Sequence, residues 1–268
     1  VTTVSILLLN EDEVRRLLTM EEAIDAVETA LRKQALDEAQ NIPRTRCQTD
    51  HAMMHVLSAS AKGLGVLGYK AYCTSKQGAN FHVGVFDGRT GQLQAILQAD
   101  WLGQMRTGAA SGVATKYLAR ADAATVGLFG TGKQARTQLL AVCQVRKIRS
   151  VRVYARDEQR RTQFCQEMAP LCHCDVVPVA SPEQAARDQD IVITATSSRE
   201  PVLFGDWIAD GAHLNVVGSN FLSKTEIDIA TVRRADRIFV DSKEQARIEA
   251  GDFHAALENG TLAWNDVR

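Results

Sequence analysis

Apolar positions along the chain follow two different rhythms, and the change comes near residue 120. Val4 to Leu9 predicts a short opening strand. Thr19-Met-Glu-Glu22 is a capping-box pattern that starts a helix, and Ile24, Val27, Ala30 and Leu31 follow at helical spacing. Pro43 is expected to end that region. Strand-like runs then succeed one another at Met53 to Ala59, Leu67 to Cys73 and His82 to Phe86. Asp87-Gly88-Arg89-Thr90-Gly91 reads as a hairpin turn, and Gln92 to Gln98 returns as the next strand. Strands without helices between them predict a mainly antiparallel sheet. Trp101 to Leu118 is helix-compatible and closes the first half.

The second half alternates. Ala124 to Phe129, Ser150 to Tyr154, Val176 to Val179 and Ile191 to Ala195 read as strands. Lys133 to Val145, Glu158 to Met168 and Pro182 to Asp188 read as the helices between them. His213 to Val217 and Arg237 to Val240 read as two more strands. Strands alternating with helices predict a doubly wound parallel sheet. The expected architecture is therefore α/β, with an N-terminal α+β domain over residues 1–119 and a parallel-sheet domain over 120–268.

Charge narrows the field. The 268 residues hold 31 basic and 32 acidic side chains, a formal net charge of −1, which removes the electrostatic case for a nucleic-acid or membrane-surface partner. No apolar run reaches the length of a membrane span. Val1 to Asn10 lacks a basic leader followed by a long apolar stretch, so no secretory signal is expected. The six cysteines are scattered and read as reduced thiols of a cytoplasmic protein. Cys172-His173-Cys174 is a single C-x-C with no second pair, so no metal site is expected.

The strand Thr125 to Phe129 runs into Gly130-Thr131-Gly132-Lys133-Gln134-Ala135, a G-x-G-x-x-A that opens a helix. That context is the one a dinucleotide-binding (Rossmann) loop requires. Gly130 would make the tight turn, and Gly132 would let a pyrophosphate approach the backbone. Ala135 would let helix and strand pack closely. Free N–H groups at the helix start would then hold the phosphates. An acid about 20 residues on would bind the ribose of NAD. Counting from Ala135 reaches Ala155, with Tyr154 before it and Arg156 after it, and Asp157 close by. Arg156 is suited to a 2′-phosphate, which tilts the expectation from NAD towards NADP. It also reads as a solvated residue at a strand end.

At this point the sequence resembles the ornithine cyclodeaminase/mu-crystallin family. The likeness rests on Ile42-Pro43-Arg44-Thr45, Gly68-Tyr69-Lys70, Leu102 to Ser111 and Gly130 to Ala135. It continues through Ile191 to Ser197, Gly211 to Gly218 and Val240-Asp241. The resemblance implies a first domain that binds substrate and dimerises, a Rossmann domain, and an active site between them. It implies NAD(H) or NADP(H) acting on amino acids and their imines. Family activities include ornithine cyclodeamination, alanine dehydrogenation and ketimine reduction, and some members are binding proteins. Members usually continue past the point where this sequence stops, so a truncated chain or a short member is implied.

By the same resemblance Arg44, Lys70 and Arg106 hold the substrate carboxylate, which agrees with the bidentate fork of arginine. Lys70, in an apolar strand, is expected either to carry a lowered pKa and move protons or to point to water at a sheet edge. Thr107 and Ser111 fall where the family approaches cofactor phosphates, or serve as capping and packing groups. Thr131, Gln134, Thr196, Ser197, Val217 and Gly218 belong to the implied cofactor set. His82 is placed near the substrate. The loop from Thr74 to Asn80 is too short for a large lid.

Two positions depart from the cyclodeaminase pattern. His55 stands where cyclodeaminases carry a Glu, and Asn220 where they carry an Asp. An amide orients a substrate nitrogen but cannot be its base. His55 is either an acid/base group or a packed strand histidine. The favoured expectation is an NAD(P)-dependent oxidoreductase of a small amino acid, 2-keto acid or cyclic imine, working as a homodimer. A cyclodeaminase-type lyase and an NADP-loaded binding protein are the alternatives.

Overall fold

The computed structural model describes residues 5–268, so the residues before Ser5, Val4 among them, lie outside what is described. Packing divides the chain into two units, residues 1–106 and 107–268.

The first unit begins with β1 (Leu7–Leu9), α1 (Glu11–Leu17) and α2 (Met20–Ala35). Both helices start at capping boxes, Asn10 with Glu13 and Thr19 with Glu22. Then come β2 (Ala39–Gln48), β3 (Ala52–Ala61), β4 (Val66–Ser75), β5 (Gly78–Asp87) and β6 (Leu93–Gln98). The sheet has the order β1-β6-β5-β4-β3-β2. Every pairing in it is antiparallel except β1 with β6. The hairpin at Asp87 forms as expected, its carboxylate accepting the N–H groups of Arg89 and Thr90. The β4–β5 connection is tighter than the sequence implied, because the strands pair as far as Ser75 with Gly78.

Pro43 does not end the region. It sits inside β2, an edge strand, where the register shifts between Ile42 and Thr45. Proline cannot donate to a ladder, and an edge strand with an irregularity is where a sheet tolerates it. Helix α3 (Asp100–Leu118) follows, and the division between units falls within it. The Glu11 carboxylate accepts the N–H groups of Asp100 and Trp101 and so caps its start.

The second unit runs β7 (Thr125–Phe129), α4 (Lys133–Val145), β8 (Ser150–Tyr154), α5 (Glu158–Cys172), β9 (Asp175–Pro178), α6 (Pro182–Ala186), β10 (Ile191–Thr194) and β11 (His213–Val216). Three short helices end it: α7 (Ile229–Arg234), α8 (Lys243–Glu249) and α9 (Gly251–Glu258). The parallel sheet has the order β11-β10-β7-β8-β9. Successive residues of a strand face opposite ways. Val126 and Leu128 therefore join one core with α4 and α5, while Phe129 joins another with α6. This is the doubly wound sheet that the alternating pattern predicted. The expected strand at Arg237 to Val240 is not part of it. Ile238 and Val240 bond instead to the two residues Val267 and Arg268, which is too short a partner for a ladder.

Candidate active site

The cationic cluster belongs to the first unit. Lys70 lies mid-strand in β4, opposite Leu57 of β3 and Val83 of β5. Two residues on, Tyr72 stands between His55 and Phe81. Directly opposed residues share a face, so one face of the sheet carries Lys70, Tyr72, His55 and Phe81 together. The Tyr72 ring stacks on His55 at 4.3 Å and on Phe81 at 4.7 Å. The Lys70 ammonium lies 5.1 Å from the Tyr72 ring centre and 5.2 Å from that of Phe81. Arg44, at the irregular part of β2, brings its guanidinium 5.8 Å from the Tyr72 ring. The first turns of α3 reach the same place, since a Cβ on Gly103 would stand 3.7 Å from Lys70 Nζ.

These surroundings set the charge of Lys70. Burial, then Arg106, then Arg44 bring its pKa down to about 7, with Asp100 opposing. A lysine at that value exchanges protons at neutral pH. Two arginines and this lysine beside aromatic walls concentrate positive charge, and an arginine fork has the geometry that suits a carboxylate.

The same sheet settles the geometry of two histidines. His82 pairs with Ala71, which puts it on the face opposite Lys70, where it is exposed. The structure does not bring it to the cluster, because neighbouring strand residues alternate faces. His55 is on the Lys70 face but only 3% exposed. Its Nε2 bonds Thr74 Oγ1 at 3.2 Å and its ring stacks on Tyr72, the geometry of a packed strand histidine.

The second unit holds the glycine loop. Gly130 has φ +106, and a Cβ there would come within 2.4 Å of the Ala195 carbonyl. Gly132 is the N-cap of α4, has open space where a Cβ would be, and no side chain caps the helix. A helix start without a side-chain cap is the arrangement in which backbone N–H groups can meet a phosphate. Thr131 and Gln134 flank this turn, and Ala135 is fully buried beneath it. Gly108 of α3 packs on α4 so closely that a Cβ would stand 2.4 Å from the Thr137 carbonyl. The Thr107 carbonyl accepts from Gln138 Nε2 at 3.1 Å, and Ser111 is buried.

The ends of β10 and β11 meet at a residue the sequence reading missed, Glu226, which is fully buried. Its carboxylate accepts from Thr194 Oγ1 (2.8 Å), Thr196 N (2.6 Å) and Gly218 N (2.7 Å). Burial pushes its pKa up and these donors pull it down. Asp252 in turn accepts the backbone N–H of Glu226 at 2.6 Å. Gly218 has no room for a Cβ, which would lie 2.2 Å from the Thr196 carbonyl. Val217 donates to the Thr194 carbonyl, and Ser197 is exposed beside the cluster. The sequence around Glu226 reads Thr225-Glu226-Ile227-Asp228, which matches no motif.

At the end of β8, Arg156 is exposed. The Asp157 carboxylate caps α5 by accepting from Arg160 N at 3.0 Å. Arg161, also missed, is buried and donates to the Ala155 carbonyl at 2.7 Å. Asn220 is exposed in the loop after β11, and its Oδ1 accepts from Lys224 Nζ at 2.9 Å. Among the described residues, no group of acids, histidines and cysteines could hold a metal, and no helix is long and apolar enough to cross a membrane.

The sequence profile of the ornithine cyclodeaminase/mu-crystallin family matches residues 4–262. Alanine dehydrogenase of Archaeoglobus fulgidus is 31% identical over 97% of this chain and 81% of its own. The Thermococcus litoralis Delta(1)-pyrroline-2-carboxylate reductase, solved with NADH and L-proline, superposes with a TM-score of 0.91 at 33% identity. That match covers 98% of this chain and 84% of the reductase. The iminosuccinate reductase of Paracoccus denitrificans, solved with NAD+, gives 0.92 at 27% identity, covering 98% of this chain and 83% of the reductase.

Proposed function

The chain belongs to the ornithine cyclodeaminase/mu-crystallin family, and from that premise we propose that it is an NAD(P)-dependent oxidoreductase. Its substrate would be a small amino acid with its 2-keto acid or imine, cyclic imines included. The observation that carries the reading is the convergence of Arg44 and Arg106 on a lysine whose pKa they help bring to about 7.

When bound, a nicotinamide would supply or take up a hydride at the carbon beside the carboxylate. Arg44 and Arg106 hold that carboxylate. Lys70 gives a proton to the substrate nitrogen as an imine is reduced, and takes it back in the oxidative direction. A bound carboxylate raises the lysine pKa again, so the proton is present when an imino acid arrives. Tyr72 and Phe81 keep water from the ammonium and keep its charge responsive to the substrate. Asn220 and His55 are assigned supporting roles, one at the surface loop and one in the stacked wall, since neither supplies a carboxylate base. Gly130, Thr131, Gly132, Gln134 and Ala135 form the phosphate cradle. Thr107, Thr196, Ser197, Val217 and Gly218 would line the rest of the cofactor.

We favour NADP over NAD. The Asp157 carboxylate is engaged as a helix cap, and Arg156 offers an exposed guanidinium. The two relatives solved with NADH and NAD+ carry a nicotinamide cofactor. A homodimer is favoured because the first unit leaves Leu7, Leu8, Leu17 and Leu67 exposed. Cytoplasmic action fits six free thiols.

The test is an absorbance assay with NADPH or NADH and a panel of 2-keto acids with ammonia, and of cyclic imino acids. Loss of reduced cofactor with one panel member is expected, with NADPH preferred and the preference falling in Arg156→Ala. Ammonia release from ornithine with no net cofactor change would replace this reading with a cyclodeaminase. Tight cofactor binding with no turnover would replace it with a binding protein.

A further inference from the structure

One arginine of the second unit is buried with no acid to pair with among the described residues. Arg161 is only 8% exposed. Its Nη1 donates to the Ala155 carbonyl at 2.7 Å, and its guanidinium lies 5.7 Å from the centre of the Tyr154 ring. Its buried Nε meets no acceptor. A buried arginine is ordinarily paired, because the charge has lost its hydration. The helix does not favour it either. Arg161 lies in the first turn of α5, where the partial positive charge of a helix start suits the Asp157 cap and Glu158 but opposes Arg160 and Arg161. A cation here stabilises neither the core nor the helix. What it does is grip the turn that precedes α5.

That turn lies beside the glycine loop. Phe129, the last residue of β7, pairs with Tyr154, the last of β8, and the Gly130 N–H donates to the Tyr154 carbonyl at 2.9 Å. Both turns leave the carboxyl ends of neighbouring parallel strands, where a doubly wound sheet binds its ligand. Within the second turn, Arg161 holds the Ala155 carbonyl. One oxygen of Asp157 accepts from Arg160 N at 3.0 Å, and the other lies 3.6 Å from Arg160 Nε. Both oxygens of the carboxylate are thus engaged. Arg156 stands between these two anchored residues and is exposed.

We propose that Arg161 is a positioning residue for cofactor selection. By holding the Ala155 carbonyl it keeps the chain at 155–157 turned so that Arg156, and not the Asp157 carboxylate, meets the adenosine ribose. The ligand selected is a dinucleotide with a phosphomonoester on that ribose. The inference rests on the reading of the glycine loop as a cofactor cradle that favours NADP, and it names what enforces that choice. A ribose diol needs a free acceptor, and the one acid of the turn is engaged. A phosphomonoester brings extra negative charge and three strong acceptor oxygens, which a guanidinium fork matches. On a turn that is not held, Arg156 would have to be ordered at the moment of binding, and that entropy would be lost from affinity.

The experiment measures binding to the full chain without substrate, so it does not depend on turnover. NADPH and NADH are titrated by fluorescence, and 2′,5′-ADP and 5′-AMP are used as competitors. Wild type is expected to bind the 2′-phosphorylated member of each pair about tenfold more tightly or better. Arg161→Met keeps the bulk against Tyr154 and removes the donor. It should weaken NADPH and 2′,5′-ADP about tenfold, and NADH and 5′-AMP by less than about twofold. Arg161→Lys restores a charged donor and should recover most of the preference. Should Arg161→Met not fold, the shorter, uncharged Arg161→Gln is read in the same way. A wild-type preference that Arg161→Met keeps would overturn the proposal alone and leave NADP standing. A wild type with no preference would overturn both. Equal weakening of all four ligands would reduce Arg161 to a residue of the fold, and so would a lysine variant no better than the methionine one.

Discussion

The two sheets place their chemistry differently. In the six-stranded sheet the candidate groups sit mid-strand, on one face, as charged side chains brought together across β2, β4 and α3. In the five-stranded sheet they sit at strand ends, and what matters is backbone N–H groups and the absence of Cβ atoms. Both hydrophobic clusters lie in that second unit. A strand end must be held rigidly if backbone groups are to meet a ligand. A side-chain site depends instead on register and on electrostatic tuning, and so its most sensitive property is a proton affinity.

The largest expected effect tests that contrast at Lys70. Lys70→Met should lower kcat/KM by about 10²–10⁴-fold, the range for a lost acid/base group. Cofactor affinity, measured by fluorescence titration, should stay within about twofold, because the glycine loop belongs to the second unit. A parallel loss of cofactor binding would break the division of labour. The pH profile sharpens it. In the proposed mechanism imine reduction needs protonated Lys70, so its kcat/KM, which reports the free enzyme, should fall as pH rises through about 7, and that of the reverse oxidation should rise there. Stability carries the matching sign. Between about 7 and the ordinary lysine value of 10.5, the unfolded lysine is protonated and the folded one is not. The unfolded state then binds more protons, so this group's contribution to stability increases with pH across that window. Arg106→Gln should shift the kinetic inflection upward, since it removes a cation that lowers the lysine.

Next in size is Gly130→Ala. An alanine there would hold φ at +106 and push its Cβ to 2.4 Å from the Ala195 carbonyl. Strain of about 1–3 kcal/mol should appear as a lower melting temperature. Cofactor affinity should fall by more than the substrate KM rises. Equal damage to both would mean that the loop does no more than hold the fold.

These two tests also show why one half was easier to read. Gly130, Gly132 and Ala135 act locally, within one strand–turn–helix, so their spacing is visible in sequence. The helix α4 and strand β8 emerge with the bounds that periodicity predicted. The Lys70 face depends on cross-strand pairings between residues 9 to 17 positions apart, such as Tyr72 with Phe81 and His55 with Tyr72. Sequence spacing does not report register, and so His82 was drawn to the wrong face. Pro43 misled for a related reason, because edge position is a property of the finished sheet. Arg44, Lys70 and Arg106 were found through family likeness and not through pattern. Glu226 had no motif at all, since its partners, Thr194, Thr196 and Gly218, converge only when β10 and β11 lie side by side.

Glu226→Gln gives a smaller, more specific effect. An amide presents one acceptor and one donor group, so either Thr196 N–H or the Gly218 N–H faces an NH₂. Leaving a buried donor unsatisfied costs about 1–3 kcal/mol. Cofactor affinity should drop by about tenfold with the Lys70 pH inflection unmoved. Because burial raises the Glu226 pKa, wild-type cofactor affinity should also weaken as pH falls and the carboxylate protonates. The Gln variant should lack that dependence. A variant that keeps the same pH dependence would assign the titration to another group.

The smallest expected effect is at His82, and it tests the register itself. His82 pairs with Ala71 and Gln98, while Lys70 pairs with Val83. One residue of offset separates the two faces, and a shift of that size would exchange every side chain on β5 between them. With the observed register, His82→Ala removes an exposed ring on the far side of the sheet and should leave kcat/KM within about twofold. Surface changes of this kind usually alter stability by no more than about 0.5 kcal/mol. Val83→Ser, one position along, alters the neighbour of Lys70 and should move the kinetic inflection upward by easing the burial that lowers it. The reverse ranking, with His82 sensitive and Val83 silent, would require β5 to pair with β4 one residue out of step, and would take the aromatic wall of Tyr72 and Phe81 apart with it.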